Sequence, residues 1–316
     1  MKYVKKSLAF IVTALLIISA TVILCFGQKD KSITDLKEKY ANKSSSFLTL
    51  DGMDVHYRDE GNLTDSIPII LIHGTGSSLH TFDDWSKTLT QTKRVIRMDL
   101  PAYGLTGPFP NRIYSIANYT SFLNDFLKRL KIKKCILAGN SLGGEIAWNF
   151  TLEQPHLITK LILIDAAGYP TISKSSPLAF KLAKTPIINK SLTYITPKFL
   201  VRKSIENVYK DTSKITDTLV DRYFDLTLRA GNRQAFIDRF KTKKKTGNYN
   251  SIKKIIQPTL ILWGDQDLLI PVENAYKFQD DLSNSTLVVL KNTGHVPMEE
   301  NPKKSLKPVL EFIKKQ

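Results

Sequence analysis

The sequence predicts an α/β protein: a mostly parallel, twisted sheet between two layers of helices. Three observations predict it. Short, continuous apolar runs recur along the chain, each bounded by turn residues. Segments with apolar residues three and four apart alternate with them. One stretch in the second half breaks this alternation and reads as helices alone.

The runs come first. Phe47–Leu50 and Val55–Arg58 flank Asp51-Gly52, a hairpin signal. PIILIH (68–73), KRVIRMD (93–99), KCILAG (134–139), KLILID (160–165), PTLILWG (258–264) and TLVVLK (286–291) follow. Unbroken apolar runs of this length suit strands buried on both faces, as in a parallel sheet. Between them, Ile116–Leu130, Leu142–Glu153, Val272–Leu282 and Lys304–Ile313 have helical spacing. The core is thus expected over 46–168 and 250–316, with a helical insertion over 169–249.

The 316 residues are 42% hydrophobic, too apolar for a disordered chain and enough for a large core. The formal net charge is +17, unevenly spread. Lys181 to Lys254 holds 18 Lys plus Arg against 6 Asp plus Glu, a local excess of 12. No zinc-finger spacing, RNA-binding aromatic motif or basic zipper accompanies it, which argues against nucleic acid. Cys25 and Cys135 lie in separate apolar runs, so neither a disulfide framework nor a cysteine metal site is expected.

Lys2, Lys5 and Lys6 precede an uncharged run from Leu8 to Phe26. As a helix those residues span roughly 28 Å, close to a bilayer core. Leu24, Cys25, Phe26 and Gly27 fit a signal-peptidase exit poorly, and Leu24 is too large to precede a lipidated cysteine. Residues 1–27 therefore read as an uncleaved, single-pass transmembrane anchor. The basic N-terminus puts the rest of the chain outside the cytoplasm. The polar residues 28–45 read as a linker.

Gly139-Asn140-Ser141-Leu142-Gly143, then Gly144, follows one strand run and opens one helical run. In that context G-x-S-x-G is a nucleophile elbow, with Ser141 held out on a strained turn. The serine needs a base and an orienting acid, in the chain order Ser, acid, His. His156 lies in a surface turn. His295, in Asn292-Thr293-Gly294-His295-Val296-Pro297, directly follows the last strand run and is the expected base. In Trp263-Gly264-Asp265-Gln266-Asp267, Asp267 has the turn's length needed to swing back to His295. Asp265 is the second choice and Asp165 the third. His73-Gly74-Thr75-Gly76 can aim a backbone N–H at a reacting oxygen, from Thr75 first and Gly76 second. The N–H of Leu142 is the other donor. His73 is expected to hold the loop by hydrogen bonds.

HGTG (73–76), DLPAYGLTG (99–107), GNSLGG (139–144), WGDQD (263–267) and GHVP (294–297) together resemble the α/β-hydrolase superfamily over roughly 45–314. The branch most resembled holds meta-cleavage-product hydrolases, carboxylesterases and haloperoxidase-like esterases. The resemblance implies Ser141 as nucleophile, Asp267 as acid and His295 as base. It also implies N–H donors on Thr75 and Leu142, no cofactor or metal, and a helical cap at 169–249. Ala102 departs from the family, which has glycine there. Serine at the elbow argues against haloalkane dehalogenases and epoxide hydrolases, which carry aspartate. The function expected is a membrane-anchored hydrolase of carboxylic esters or related small-molecule acyl substrates. C–C bond hydrolysis or acyl transfer is a second reading, and a non-catalytic ligand-binding protein a third.

Two features of the insertion remain. Phe180, Tyr194, Phe199, Tyr223, Phe224 and Phe236 are candidates for an apolar acyl pocket or for the insertion's own core. KTKKK (241–245) reads either as a solvated loop or as a contact with anionic lipid.

Overall fold

The computed structural model describes residues 2–186, 188–242 and 248–315; in its first helix the side chains at 2, 4, 5, 8, 9, 12, 15, 16, 18, 19 and 22 lie outside that description. Most of KTKKK lies outside it too. The apolar runs become strands: β1 (Ser45–Leu50), β2 (Met53–Gly61), β3 (Ile69–Ile72), β4 (Arg94–Met98), β5 (Cys135–Asn140), β6 (Ile158–Ile164), β7 (Thr259–Gly264) and β8 (Ser285–Leu290). They form one sheet in the order β1-β2-β4-β3-β5-β6-β7-β8. Only β2 runs antiparallel to its neighbours; every pairing from β4 to β8 is parallel. β3, β5 and β7 are buried at every position, which is why they read as unbroken apolar runs rather than as alternation.

The helices follow in chain order: α1 (Lys2–Phe26), α2 (Ile33–Tyr40), α3 (Asp83–Leu89), α4 (Ile116–Arg129), α5 (Leu142–Glu153), α6 (Leu178–Lys184), α7 (Ile188–Ser191), α8 (Lys198–Glu206), α9 (Asp217–Thr227), α10 (Asn232–Lys241), α11 (Glu273–Asp281), α12 (Pro297–Glu300) and α13 (Pro302–Lys314). Two apolar layers cover the sheet. Phe122, Phe126, Ile146 and Phe278, from α4, α5 and α11, pack on one face. Trp85, Leu306 and Val309, from α3 and α13, pack on the other. The segment between β6 and β7 carries α6 to α10, with a small core of its own around Ala183, Leu192, Leu200 and Ile237.

Three expectations need adjusting. Residues 28–45, read as a linker, contain α2, capped by the Ser32 hydroxyl, which accepts from the Asp35 amide at 3.1 Å. Leu36 of α2 packs with Leu105 and Leu226. The main chain between α1 and α2 is bonded to the insertion: the Gln28 amide donates to Tyr194 (2.8 Å) and the Lys31 amide to Leu228 (2.7 Å). Second, the N-terminal run is helical as α1, but a transmembrane span is not shown: among the described residues no helix is long and apolar enough to cross a membrane. Third, the alanine standing where glycine is usual, Ala102, takes φ 89°. That left-handed conformation costs a side-chain-bearing residue about 1–2 kcal/mol. Its buried methyl returns about 0.8 kcal/mol, and avoiding glycine's entropy about 0.5–1 kcal/mol. The terms nearly cancel, so the turn tolerates alanine.

Candidate active site

Residues at or beyond the C-terminal ends of β3, β4, β5, β7 and β8 line one cavity, about 1180 Å³ of space with the open solvent at its mouth included. Ser141, His295, Thr75 and Gly76 line it on the sheet side; Phe180, Leu200, Tyr223 and Phe236 close it from the insertion.

Ser141 joins β5 to α5 with φ 54° and ψ −114°. Such a backbone stores about 1–3 kcal/mol of strain and persists only where its surroundings hold it. Here its amide donates to Ile164 at 3.0 Å, and its carbonyl accepts from Glu145 and Ala167, each at 3.0 Å. The glycines around it are required by space. A Cβ on Gly143 would collide with the Ile72 and His73 carbonyls, and one on Gly144 with Ala166. A Cβ on Gly74 would sit 3.0 Å from that of Ser141, so the 74–76 loop lies directly against the serine. Leu142 is the first residue of α5, where the amide has no partner within the helix and the helix dipole favours negative charge.

The His295 Nδ1 lies 2.6 Å from Asp267 Oδ2, both side chains buried. The other Asp267 oxygen accepts the Leu269 and Ile270 amides at 2.8 and 3.0 Å, which fixes the carboxylate. The His295 main chain is held from two sides: its amide donates to Val208 of the insertion (2.8 Å), and its carbonyl accepts from the Asn140 side chain (3.0 Å). Of the other acids considered, Asp265 braces the loop instead, accepting the Thr293 amide at 3.4 Å. Asp165 is fully buried and belongs to the cluster: its carboxyl, that of Asp267 and the His295 ring offer atoms within 4.8 Å of one another. Burial raises the Asp165 carboxyl well above the usual carboxylate range, and the neighbouring Asp267 charge raises it further.

His73 is enclosed. Its Nδ1 faces the Gly74 carbonyl at 2.8 Å, and its Nε2 accepts the Leu100 amide at 2.9 Å. That pair fixes a neutral tautomer, and burial lowers the ring below its ordinary value. His156 is exposed. Of the six aromatic candidates, Phe180, Tyr223 and Phe236 line the cavity. Phe224 is half-buried, whereas Tyr194 and Phe199 face solvent.

Two acids escaped the sequence reading. Glu300 is buried and accepts the Gly294, Lys210 and Asp211 amides at 2.6, 3.1 and 2.8 Å, tying the His295 loop to the insertion. Glu299 accepts from Tyr223 at 2.8 Å and pairs with Arg222. The sequence signal was only two carboxylates four and five residues beyond the histidine.

The family profile described as the alpha/beta hydrolase fold matches residues 67–302. An uncharacterized hydrolase of Bacillus subtilis, YugF, is 28% identical over 270 residues, covering 84% of this chain and 97% of the relative. The 2-hydroxy-6-oxo-6-(2'-aminophenyl)hexa-2,4-dienoic acid hydrolase of Metapseudomonas resinovorans is 28% identical over 292 residues, 88% of this chain and 96% of that one. Among solved structures, a membrane phospholipase A described as a bacterial virulence factor is similar with a TM-score of 0.72, 23% identity, and coverage of 99% and 98% of the two chains. A meta-cleavage product hydrolase from Pseudomonas fluorescens gives 0.73, 22%, 85% and 97%. At those identities the structural likeness carries the fold alone. With a profile match spanning most of the chain and the fold to go with it, the protein belongs to the α/β-hydrolase fold family.

Proposed function

We propose that this protein is a membrane-anchored serine hydrolase that cleaves carboxylic esters or related acyl substrates through an acyl-enzyme. The observation that carries the reading is the 2.6 Å His295–Asp267 contact in the same cavity as a serine at φ 54°. His295 removes the Ser141 proton as the oxygen attacks the acyl carbon. Asp267 keeps the proton on Nδ1, so that Nε2 faces the serine as a base. The Thr75 and Leu142 amides receive the developing oxyanion, each worth ~3 kcal/mol in such a site. His295 then protonates the leaving group and activates the water that releases the acid.

Ser141→Ala is expected to abolish turnover and fluorophosphonate labelling; labelling that survives in that variant refutes the assignment. A folded Ser141 protein that binds a ligand without burst or turnover would favour the binding-module reading instead. A second chemistry, cleavage of a C–C bond in a dienoic diketone, is favoured by the 28% identity to the hexadienoic acid hydrolase. Parallel assays on short and long p-nitrophenyl esters and on ring-cleavage products separate the two.

The anchor is the other half of the reading. A helix of 25 residues such as α1 is about 37 Å long, and its uncharged run begins just after three lysines. The full chain is expected to pellet with membranes, with the hydrolase domain outside the cytoplasm. Recovery in the soluble fraction refutes it.

A further inference from the structure

The insertion has a face that the hydrolase chemistry does not use. Between Asp165 and Glu206 the chain has no carboxylate side chain, while Lys174, Lys181, Lys184, Lys190, Lys198, Arg202 and Lys203 are all basic. Four of these pair with acids elsewhere: Lys174 with Glu273, Lys198 with Asp221, Arg202 with Asp217 and Lys203 with Glu206. Lys181, Lys184 and Lys190 are exposed and have no ion pair among the described residues.

The same segment exposes large apolar side chains. Tyr194 is 70% exposed, Phe199 59% and Ile188 49%. Two of them, Tyr194 and Phe199, meet the end of α1. Phe26, the last residue of α1, meets Phe199 edge to face with ring centroids 6.0 Å apart. Gly27 bridges Ile195, and the Gln28 amide donates to the Tyr194 carbonyl. The inner side of the segment forms cavity wall through Leu192, Thr196 and Leu200.

Exposed aromatic and apolar residues in the same segment as lysines without an ion pair among the described residues suit the headgroup level of an anionic bilayer. Tyr favours that depth, and each Lys near such a surface is drawn to its negative charge. An α1 that crosses the bilayer delivers Phe26, and with it this face, to that level. We propose that the face of residues 188–199 rests on the anionic surface of the membrane that α1 enters. This rests on the anchor reading given above. Only the α6–α8 layer, about 10 Å of helix, then separates lipid headgroups from the cavity.

The test uses the full chain in vesicles of phosphatidylglycerol and bromine-labelled phosphatidylcholine. All three native tryptophans, Trp85, Trp148 and Trp263, are buried. Tyr194→Trp therefore adds a single exposed reporter, and Leu63→Trp adds one in the turn at the opposite, N-terminal end of β3. The expected result is at least twofold stronger bromine quenching in Tyr194→Trp than in Leu63→Trp. It should weaken when Lys181, Lys184 and Lys190 are all changed to Glu. Equal quenching in a chain that floats with the vesicles overturns the docking face and leaves the anchor standing. A chain that leaves the vesicles on flotation overturns both. A Tyr194→Trp reporter shielded from both bromine and acrylamide puts a second copy on the face and also overturns the proposal.

Discussion

Asp165 and Asp267 meet as two carboxyl groups at the ends of the adjacent parallel strands β6 and β7, both closed off from solvent. Asp165 Oδ1 accepts the Gly264 amide at 2.9 Å, while no donor faces Oδ2. Burial, and after it the Asp267 charge, raise the Asp165 carboxyl well above the usual carboxylate range. Two full charges within 4.8 Å of one another would repel by at least about 3 kcal/mol at an effective dielectric of 20, which favours keeping one neutral.

That relationship fixes a sign. The folded Asp165 holds its proton to a higher pH than the unfolded chain does, so its contribution to stability is complete below about pH 4 and is lost as pH rises towards the folded value. Each pH unit in that window costs about 1.4 kcal/mol. Asp165→Asn keeps an acceptor for Gly264 and a donor for Asp267 without a proton to lose. It should melt higher than the parent at pH 8, by a margin that shrinks towards pH 4, and keep kcat within about threefold. Its activity should also extend further into alkali. Asp165→Leu, which keeps neither bond, should lower kcat more than tenfold. An Asn variant with the parent's pH profile in both stability and activity would show that Asp165 does not hold the proton.

Glu300 shows a second way the insertion bears on the site. Its carboxylate accepts three main-chain amides, two from the segment after α8 and one from Gly294, next to His295. Charged acceptors in such bonds are worth about 1.5–3 kcal/mol each, and a lost one leaves a buried donor unpaired. Glu300→Gln turns an NH2 group towards at least one of these amides. We expect a loss of about 2–4 kcal/mol in urea unfolding and a lower kcat at little-changed KM. A fall in stability with kcat intact would confine Glu300 to a structural part.

Asp99 organises the turn below the cavity. It is fully buried, and its oxygens accept His56 Nδ1 (2.7 Å) and the Leu79 and Leu105 amides (2.8 Å each). Burial alone would raise this carboxyl; the His56 ring beside it, hydrogen-bonded at 2.7 Å, outweighs that and holds it well below the usual range. A depressed folded value means that stability is present above about pH 4 and lost as pH falls further. Asp99→Asn should cost about 3–5 kcal/mol at pH 6, and the gap from the parent should narrow by pH 3. A gap that stays constant between those two pH values would refute the assignment of charge to Asp99.

What could be read from residues alone follows from how local each signal is. The strands β3 to β7 were legible because burial leaves a nearly unbroken apolar run, and the half-buried edge strand β8 because its run is apolar as well. Ser141 was legible because the elbow needs glycines within three residues of it. Asp267 and His295 followed from chain order and strand ends. The Asp165 partnership was not legible, because it depends on which strand lies beside β6, and that strand is far along the chain. The α2 helix escaped because Leu36 is its one fully buried residue, so its sequence looks like polar linker. Its stability lies in contacts to the insertion that no local pattern announces.

Those contacts make the last prediction. Asp225 of α9 is nearly buried and accepts from Lys31 Nζ, Lys39 Nζ and the Tyr40 hydroxyl, each at 2.7 Å. Arg233 adds a bond to Asp30 at 2.6 Å and one to the Gln28 carbonyl at 2.9 Å. The lysines are substantially exposed, so each pair is screened and contributes at the low end, about 0.5–1 kcal/mol. The Tyr40 bond to a buried carboxylate adds about 1.5 kcal/mol. In Asp225→Ala the lysines return to water, and the strap of residues 28–41 should open more often, while the hydrolase core keeps its other contacts. Tryptic cleavage after Lys31, Lys37 or Lys39 should then accelerate about a hundredfold, which corresponds to about 2.7 kcal/mol of local opening, with the urea midpoint of the core little changed. If cleavage keeps the parent's rate, the main-chain bonds to Tyr194 and Leu228 hold the strap by themselves, and the Asp225 ion pairs contribute nothing to it.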